Sequence, residues 1–231
     1  MVHFNWTQLL PGVGHDPNYI ALATATVVGA GLVLLSIAGR VALGSGEKAV
    51  VPSDKFSLKG ILEVITEFIV SLVDMVIGEE GRHFVPLFAA MFLYILINNF
   101  VGLIPGMTPA TDNLNTTVAV GLFSFIAYNI YGFKEHGISY LKQFLGPMLL
   151  LAPLMIIIEL ISHIVRPISL GLRLQGNMIG DHTVLGIFLD LVPYGVPVIF
   201  YGLGVFVCMI QAFVFTLLSM IYVSMAISHD H

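Results

Sequence analysis

Several apolar runs in this chain reach or pass the roughly 20 residues that a membrane-spanning helix needs. They cover residues 19–41, 84–104, 116–133, 147–191 and 198–227. Charged residues make up only 10% of the chain and hydrophobic ones 57%. A soluble domain carries about 25% charged residues. The expected class is therefore an all-α polytopic membrane protein: one membrane domain over residues 1–231, with about five transmembrane helices.

A sixth helix is expected at residues 58–78. Glu63, Glu67 and Asp74 stand four and seven residues apart, which puts them on one helical face, and apolar residues fill the rest. That pattern fits a helix lying at the membrane surface, with a crossing helix as the alternative. The polar stretch GSGEKAVVPSDKFS precedes it as a linker, and PGMTPATDNLN reads as a turn-rich loop. Pro193 and Pro197 break the apolar sequence before the last run. Runs 147–191 and 198–227 hold 45 and 30 residues. Thirty residues of helix are already about 45 Å long, against a hydrocarbon core near 30 Å. The last two helices should therefore tilt strongly, kink or extend beyond the lipid.

Basic residues set the expected orientation. Arg40, Lys48, Lys55, Lys59, Arg82, Lys134 and Lys142 fall on one side, and segments 1–18, 105–115 and 192–197 contain no Lys or Arg. The positive-inside rule then places the N-terminus outside and the C-terminus in the cytoplasm. The N-terminal MVHFNWTQLLPGVGHDPN has no basic residue ahead of its apolar part, so no cleaved signal peptide is expected. A net charge of −5 offers no face for nucleic acid. The single cysteine, Cys208, reads as a small buried apolar side chain. No metal-ligand cluster and no phosphate-binding glycine loop are evident, and the histidines 229 and 231 are weak evidence of a metal site.

Inside the fourth run lies RPISLGLRLQGNMIGDH, residues 166–182, with charges that lipid rejects. With Arg173 at zero and about 100° per residue, Arg166, Ser162, Glu159, Ser169 and Asn177 all fall within about 40° of it. Pro167 makes this alignment approximate. His182 lies half a turn away and Asp181 between the two directions. An arginine at mid-bilayer costs roughly 2.5–3.5 kcal/mol on insertion scales, and it cannot escape by deprotonation. Arg166 is near enough to the cytoplasmic half to snorkel, and Glu159 can pair with it locally. Arg173 is too deep for either surface. In the last run Gly204, Gln211 and Tyr222 share a face, and Gln211 reads either as a helix–helix hydrogen bond or as a neighbour of Arg173.

The stretch RPISLGLRLQGNM is similar to the signature of subunit a of the F-type ATP synthase. IELIS upstream, the final IQAFVFTLLSMIYVSMA, NNFVGLIPG and DNLNTT also resemble that family, over roughly residues 55–228. The resemblance implies a stator subunit of the Fo proton channel, not catalytic by itself and with no cofactor. Its implied partners are a ring of c subunits, the b subunits of the peripheral stalk and the rest of the synthase, in a bacterial inner membrane. By resemblance, Arg173 faces a ring carboxylate between two offset half-channels. Asn177 and Gln211 line the path, Glu159 and Ser162 belong to the cytoplasmic half-channel, and His182 relays protons on the outer side. A packing hydrogen bond is the alternative for His182.

Three positions depart from the family. Gln175 replaces a common aromatic. Asp181 stands where small residues are usual. Gly204 stands where some members place a histidine or acid, a partner role either lost here or taken by Asp181. Asn98, Asn99, Asn113 and Asn115 line the outer vestibule or cap helices. The competing class is a self-contained ion-coupled secondary transporter. Such folds usually show repeated halves, and no repeat is visible here.

Overall fold

The computed structural model describes residues 6–9, 14–43, 57–104, 106–137, 140, 152–192 and 195–227. The linker at 44–56, Pro105, residues 141–151, Pro193 and the histidines 229 and 231 lie outside the described residues. Among the described residues the regular structure is entirely helical. There are six α-helices: α1 (Pro17–Leu43), α2 (Leu58–Val76), α3 (Val85–Val101), α4 (Leu114–His136), α5 (Ala152–Leu191) and α6 (Val196–Ile227). Short 3-10 turns at Trp6–Leu9, Glu79–Phe84 and Ala110–Asp112 join or precede them.

Five helical segments are long and apolar enough to cross a membrane: Pro17–Val41, Glu79–Val101, Leu114–His136, Leu154–Leu191 and Val196–Ile227. Helix α2 is not one of them. Ser57 caps it by accepting from Gly60 N–H at 3.3 Å, and Lys59 pairs with Glu63 at 3.6 Å. Its apolar face buries Ile69, Leu72 and Val73. Gly78, at φ 97°, lets the chain turn after it. Arg82 then donates from Nε and Nη2 to both Asp74 oxygens, at 2.9 and 2.7 Å. The hydrogen bond from Arg82 holds the Asp74 carboxyl below its ordinary range, against a smaller desolvation effect.

The core lies among α2, α3, α4 and α6, where Ile69, Phe88, Ile95, Tyr128, Phe215 and Met220 are almost wholly buried. Cys208 is buried as a free thiol. Helices α4 and α5 come closest where glycines face each other's backbone. A Cβ at Gly171 would lie 3.0 Å from Val118 Cα, and one at Gly121 would strike the Pro167 carbonyl oxygen. This is the small-residue contact that lets helices associate where lipid is the solvent. Ser124 adds a hydrogen bond to Ser219 across α4 and α6 at 2.8 Å. Pro167 is accommodated inside α5, whose 40 residues make about 60 Å of helix. Pro197 sits in the first turn of α6, where its missing N–H costs nothing. Isoleucines and leucines on α5 and α6 stay open, among them Ile161 at 57%, Ile187 at 51% and Ile199 at 72% exposure. Water would penalise so large an apolar surface; lipid or another apolar surface would not.

Candidate functional site

Helix α5 organises the polar residues along its length. Arg173 is the 22nd residue of its 40, with 21 residues before it and 18 after it. Its side chain is exposed on the outward face, and among the described residues no hydrogen bond or ion pair holds it. Gly176 and Gly180 open on the same side: a Cβ at either would meet nothing within 4 Å. Leu170, Leu174 and Met178 turn the other way and are buried. The helix period thus turns Leu170, Leu174 and Met178 inward and leaves the guanidinium outside among exposed apolar side chains such as Leu172 and Ile179.

Toward the Ala152 end, Arg166 Nη2 donates to Glu159 Oε1 at 3.2 Å. The Arg166 guanidinium also lies 5.5 Å from the Tyr222 ring centroid of α6, a cation–π distance. Ser169 donates to the Arg166 carbonyl at 2.9 Å, while Ser162 is exposed. His163, buried at 8% exposure, lies against Tyr128 and Asn129 of α4.

Toward the Leu191 end the picture changes. Asn177 is exposed and donates to Gln211 Oε1 at 2.6 Å, so the partner that Gln211 meets is Asn177, one turn beyond Arg173. His182 Nδ1 lies 3.7 Å from Asp112 Oδ2, an ion pair only when the imidazole is protonated. Gln175 donates weakly to the Asp112 carbonyl at 3.4 Å, which brings it against the turn that carries Asp112. Asp181 fills the space beside Gly204, where a Cβ would stand 2.8 Å from its Oδ2. Thr111 donates to Asn99 at 2.8 Å, and Asn98 donates to the Tyr94 carbonyl at 2.8 Å. Asn113 caps α4 by accepting from Asn115 N–H at 2.9 Å. Both asparagines also donate to Asn18 of α1, at 2.9 and 3.2 Å.

Six buried side-chain atoms have no hydrogen-bond partner among the described residues. Five of them belong to this end: Asn98 Oδ1, Asn99 Nδ2, Asp112 Oδ1, His182 Nε2 and Gln211 Nε2. Buried polar atoms are rarely left unpaired, because each costs about 1–3 kcal/mol. Their concentration in one region marks it as a place suited to water. No group of three or more metal-ligating side chains occurs among the described residues.

Two residues of this geometry escape the sequence pattern. Asp112 comes from a loop and has no helical period to reveal it. His163 is rotated by about 80° from Arg173, off the charged stripe and within an apolar run.

The family model described as ATP synthase A chain matches residues 21–224. An ATP synthase subunit a from Bdellovibrio bacteriovorus is 60% identical over 230 residues, covering 99% of each chain. One from Geobacter sp. (strain M21) is 47% identical over 201 residues, covering 87% of this chain and 84% of its own. One from Trichlorobacter lovleyi is 47% identical over 174 residues, covering 75% and 76%. With a family match over residues 21–224 and a relative 60% identical along 99% of both chains, the chain belongs to the ATP synthase subunit a family.

Proposed function

We propose that this chain is the stator half of a rotary proton channel. Arg173 faces a ring of c subunits, and two offset half-channels lead protons to and from a carboxylate on that ring. The observation that carries the reading is the Arg173 guanidinium itself, mid-helix, exposed, and without an intrachain partner among the described residues. A permanent cation in hydrocarbon is tolerable only beside water or an anion. The open Gly176 and Gly180 leave room for another helix to approach it.

The chemistry follows from charge. The guanidinium attracts an ionised ring carboxylate and favours release of its proton. It repels a proton moving straight from one half-channel to the other. A neutralised carboxylate can turn into lipid, whereas an ionised one cannot. Each proton gains about 2.3 kcal/mol per 100 mV, so several must be gathered by rotation for one ATP. Glu159 and Ser162 serve the cytoplasmic half-channel. His182, with Asp181 and Asp112 around it, serves the outer one, and Asn177 and Gln211 line the approach to Arg173. The orphaned polar atoms around His182 suit a hydrated path. The long α5 and α6 tilt against the ring. The b subunits and the remaining synthase subunits complete the complex, and ATP chemistry resides on those partners. The bacterial relatives and the basic-residue bias point to an inner membrane, N-terminus outside. Family membership does not favour a self-contained transporter.

The test replaces Arg173 by Ala in the assembled complex, in inverted membrane vesicles. ATP-driven pumping should vanish while the complex still assembles. Near-native pumping would overturn the reading.

A further inference from the structure

The role just proposed uses the Glu159–Arg166 pair but leaves the buried His163 behind it unexplained. Four residues after Glu159, His163 sits one turn along the same helix. Its Nε2 lies 3.1 Å from Asn129 Oδ1, and its Nδ1 lies 3.4 Å from the Tyr128 hydroxyl. The tautomer can be worked out. Asn129 Nδ2 donates to the Phe125 carbonyl at 2.7 Å, so the amide oxygen, an acceptor, is what faces His163. Tyr140 donates to that same oxygen at 3.2 Å. Nε2 therefore carries a proton, and when the ring is neutral Nδ1 accepts from Tyr128.

From there the contacts run outward. The Tyr128 ring packs edge-on against His163 at 5.5 Å and tilted against Tyr222 at 5.9 Å. Tyr222 carries the Arg166 guanidinium on its ring, and Arg166 holds Glu159. Tyr128, Tyr140, Glu159, His163, Arg166 and Tyr222 border one small cavity of about 10 Å³. That is room for about one water, so a small shift of any wall changes whether water enters.

We propose that His163 is a positioning residue, which holds the Glu159–Arg166 pair in register by way of Tyr128 and Tyr222. Rather than passing protons itself, the imidazole ties α4 to α5 so that Arg166 stays on Glu159. The inference rests on the proton-channel reading above.

The test reads ATP-driven proton pumping per assembled complex in inverted vesicles. His163→Leu should lower it about tenfold, the size expected for losing a buried hydrogen-bonded link. His163→Gln should restore most of it, because its amide can donate to Asn129 and accept from Tyr128. Adding Glu159→Gln to His163→Leu should cost little more, since both changes disable one unit. Should the leucine variant fail to assemble, Tyr128→Phe removes only the hydroxyl and should lower pumping by itself. Native pumping in His163→Leu or, if that variant does not assemble, in Tyr128→Phe overturns the inference. So does equal loss in the leucine and glutamine variants, which would make the imidazole a proton carrier, and so do fully additive losses with Glu159→Gln. Arg173→Ala run alongside separates the two readings. If it still pumps, the channel reading fails; if it does not and His163→Leu is unaffected, only the positioning role fails.

Discussion

Toward its Ala152 end, α5 has polar groups answered from within the chain: Arg166 by Glu159 and Tyr222, His163 by Tyr128 and Asn129. Toward its Leu191 end, Asp112, His182, Asn98, Asn99 and Gln211 each keep a buried atom unanswered. Arg173 stands between the two regions and belongs to neither. The difference is one of hydrogen-bond satisfaction. A satisfied network is rigid, and it holds its groups in one geometry. A region of unpaired donors and acceptors gains by admitting water, through which protons can move. One helix thus joins an end whose polar groups are paired to one whose polar groups are left open, with a cation unpaired among the described residues at the join.

If the Leu191 end works as a relay, its titrating group should matter most. His182→Ala should slow proton flow through the assembled complex by about a hundredfold, the scale of a lost acid–base group. Unchanged flow would reduce His182 to a packing residue and erase the contrast. At the other end, Glu159→Gln keeps the shape and removes the charge that Arg166 answers. A loss nearer tenfold is expected, the order of one charge-assisted hydrogen bond. Larger loss there than at His182 would reverse the ranking of the two ends.

The Asp74–Arg82 pair sharpens the contrast from outside both regions. It is bidentate but exposed, with Arg82 54% accessible, so solvent screens it. Asp74→Asn should leave pumping within about twofold. Because the Asp74 carboxyl is held low, the pair contributes fully above the ordinary aspartate value of about 3.9 and is lost as pH falls through the lowered folded value. Hydrogen exchange across residues 77–81 should therefore distinguish wild type from Asp74→Asn at pH 6, with the difference shrinking as pH falls through the lowered Asp74 value. No difference between the two at pH 6 would assign the turn's stability to other contacts.

Much of this arrangement is legible in the sequence because helices print their faces at a period of 3.6. The stripe through Glu159, Arg166, Arg173 and Asn177 falls out of that period, as does the Glu159–Arg166 pair. Spanning helices are equally plain, since lipid demands long apolar runs. Periodicity tells which residues share a face but not which neighbour covers it. The partner of His182 is Asp112, 70 positions earlier on a loop, and Gln175 makes sense only once that loop is in place. Gln211 shares its face with Gly204 and Tyr222 in sequence, yet whether it meets Arg173 or Asn177 depends on the vertical offset of α6 against α5. His163 is the clearest case. An off-stripe histidine in an apolar run carries no local signal, and only the packing of α4 gives it meaning.

The decisive experiment concerns the join. Membranes carrying the Fo sector, stripped of the catalytic head and with the ring cross-linked to the stator, should pass no protons above background when Arg173 is present. With Arg173→Ala and the ring still locked, a proton leak should open, since no cation then separates the two half-channels. A leak-free Arg173→Ala membrane, together with native passive proton conduction through Fo once the cross-link is released, would show that this guanidinium is not the barrier.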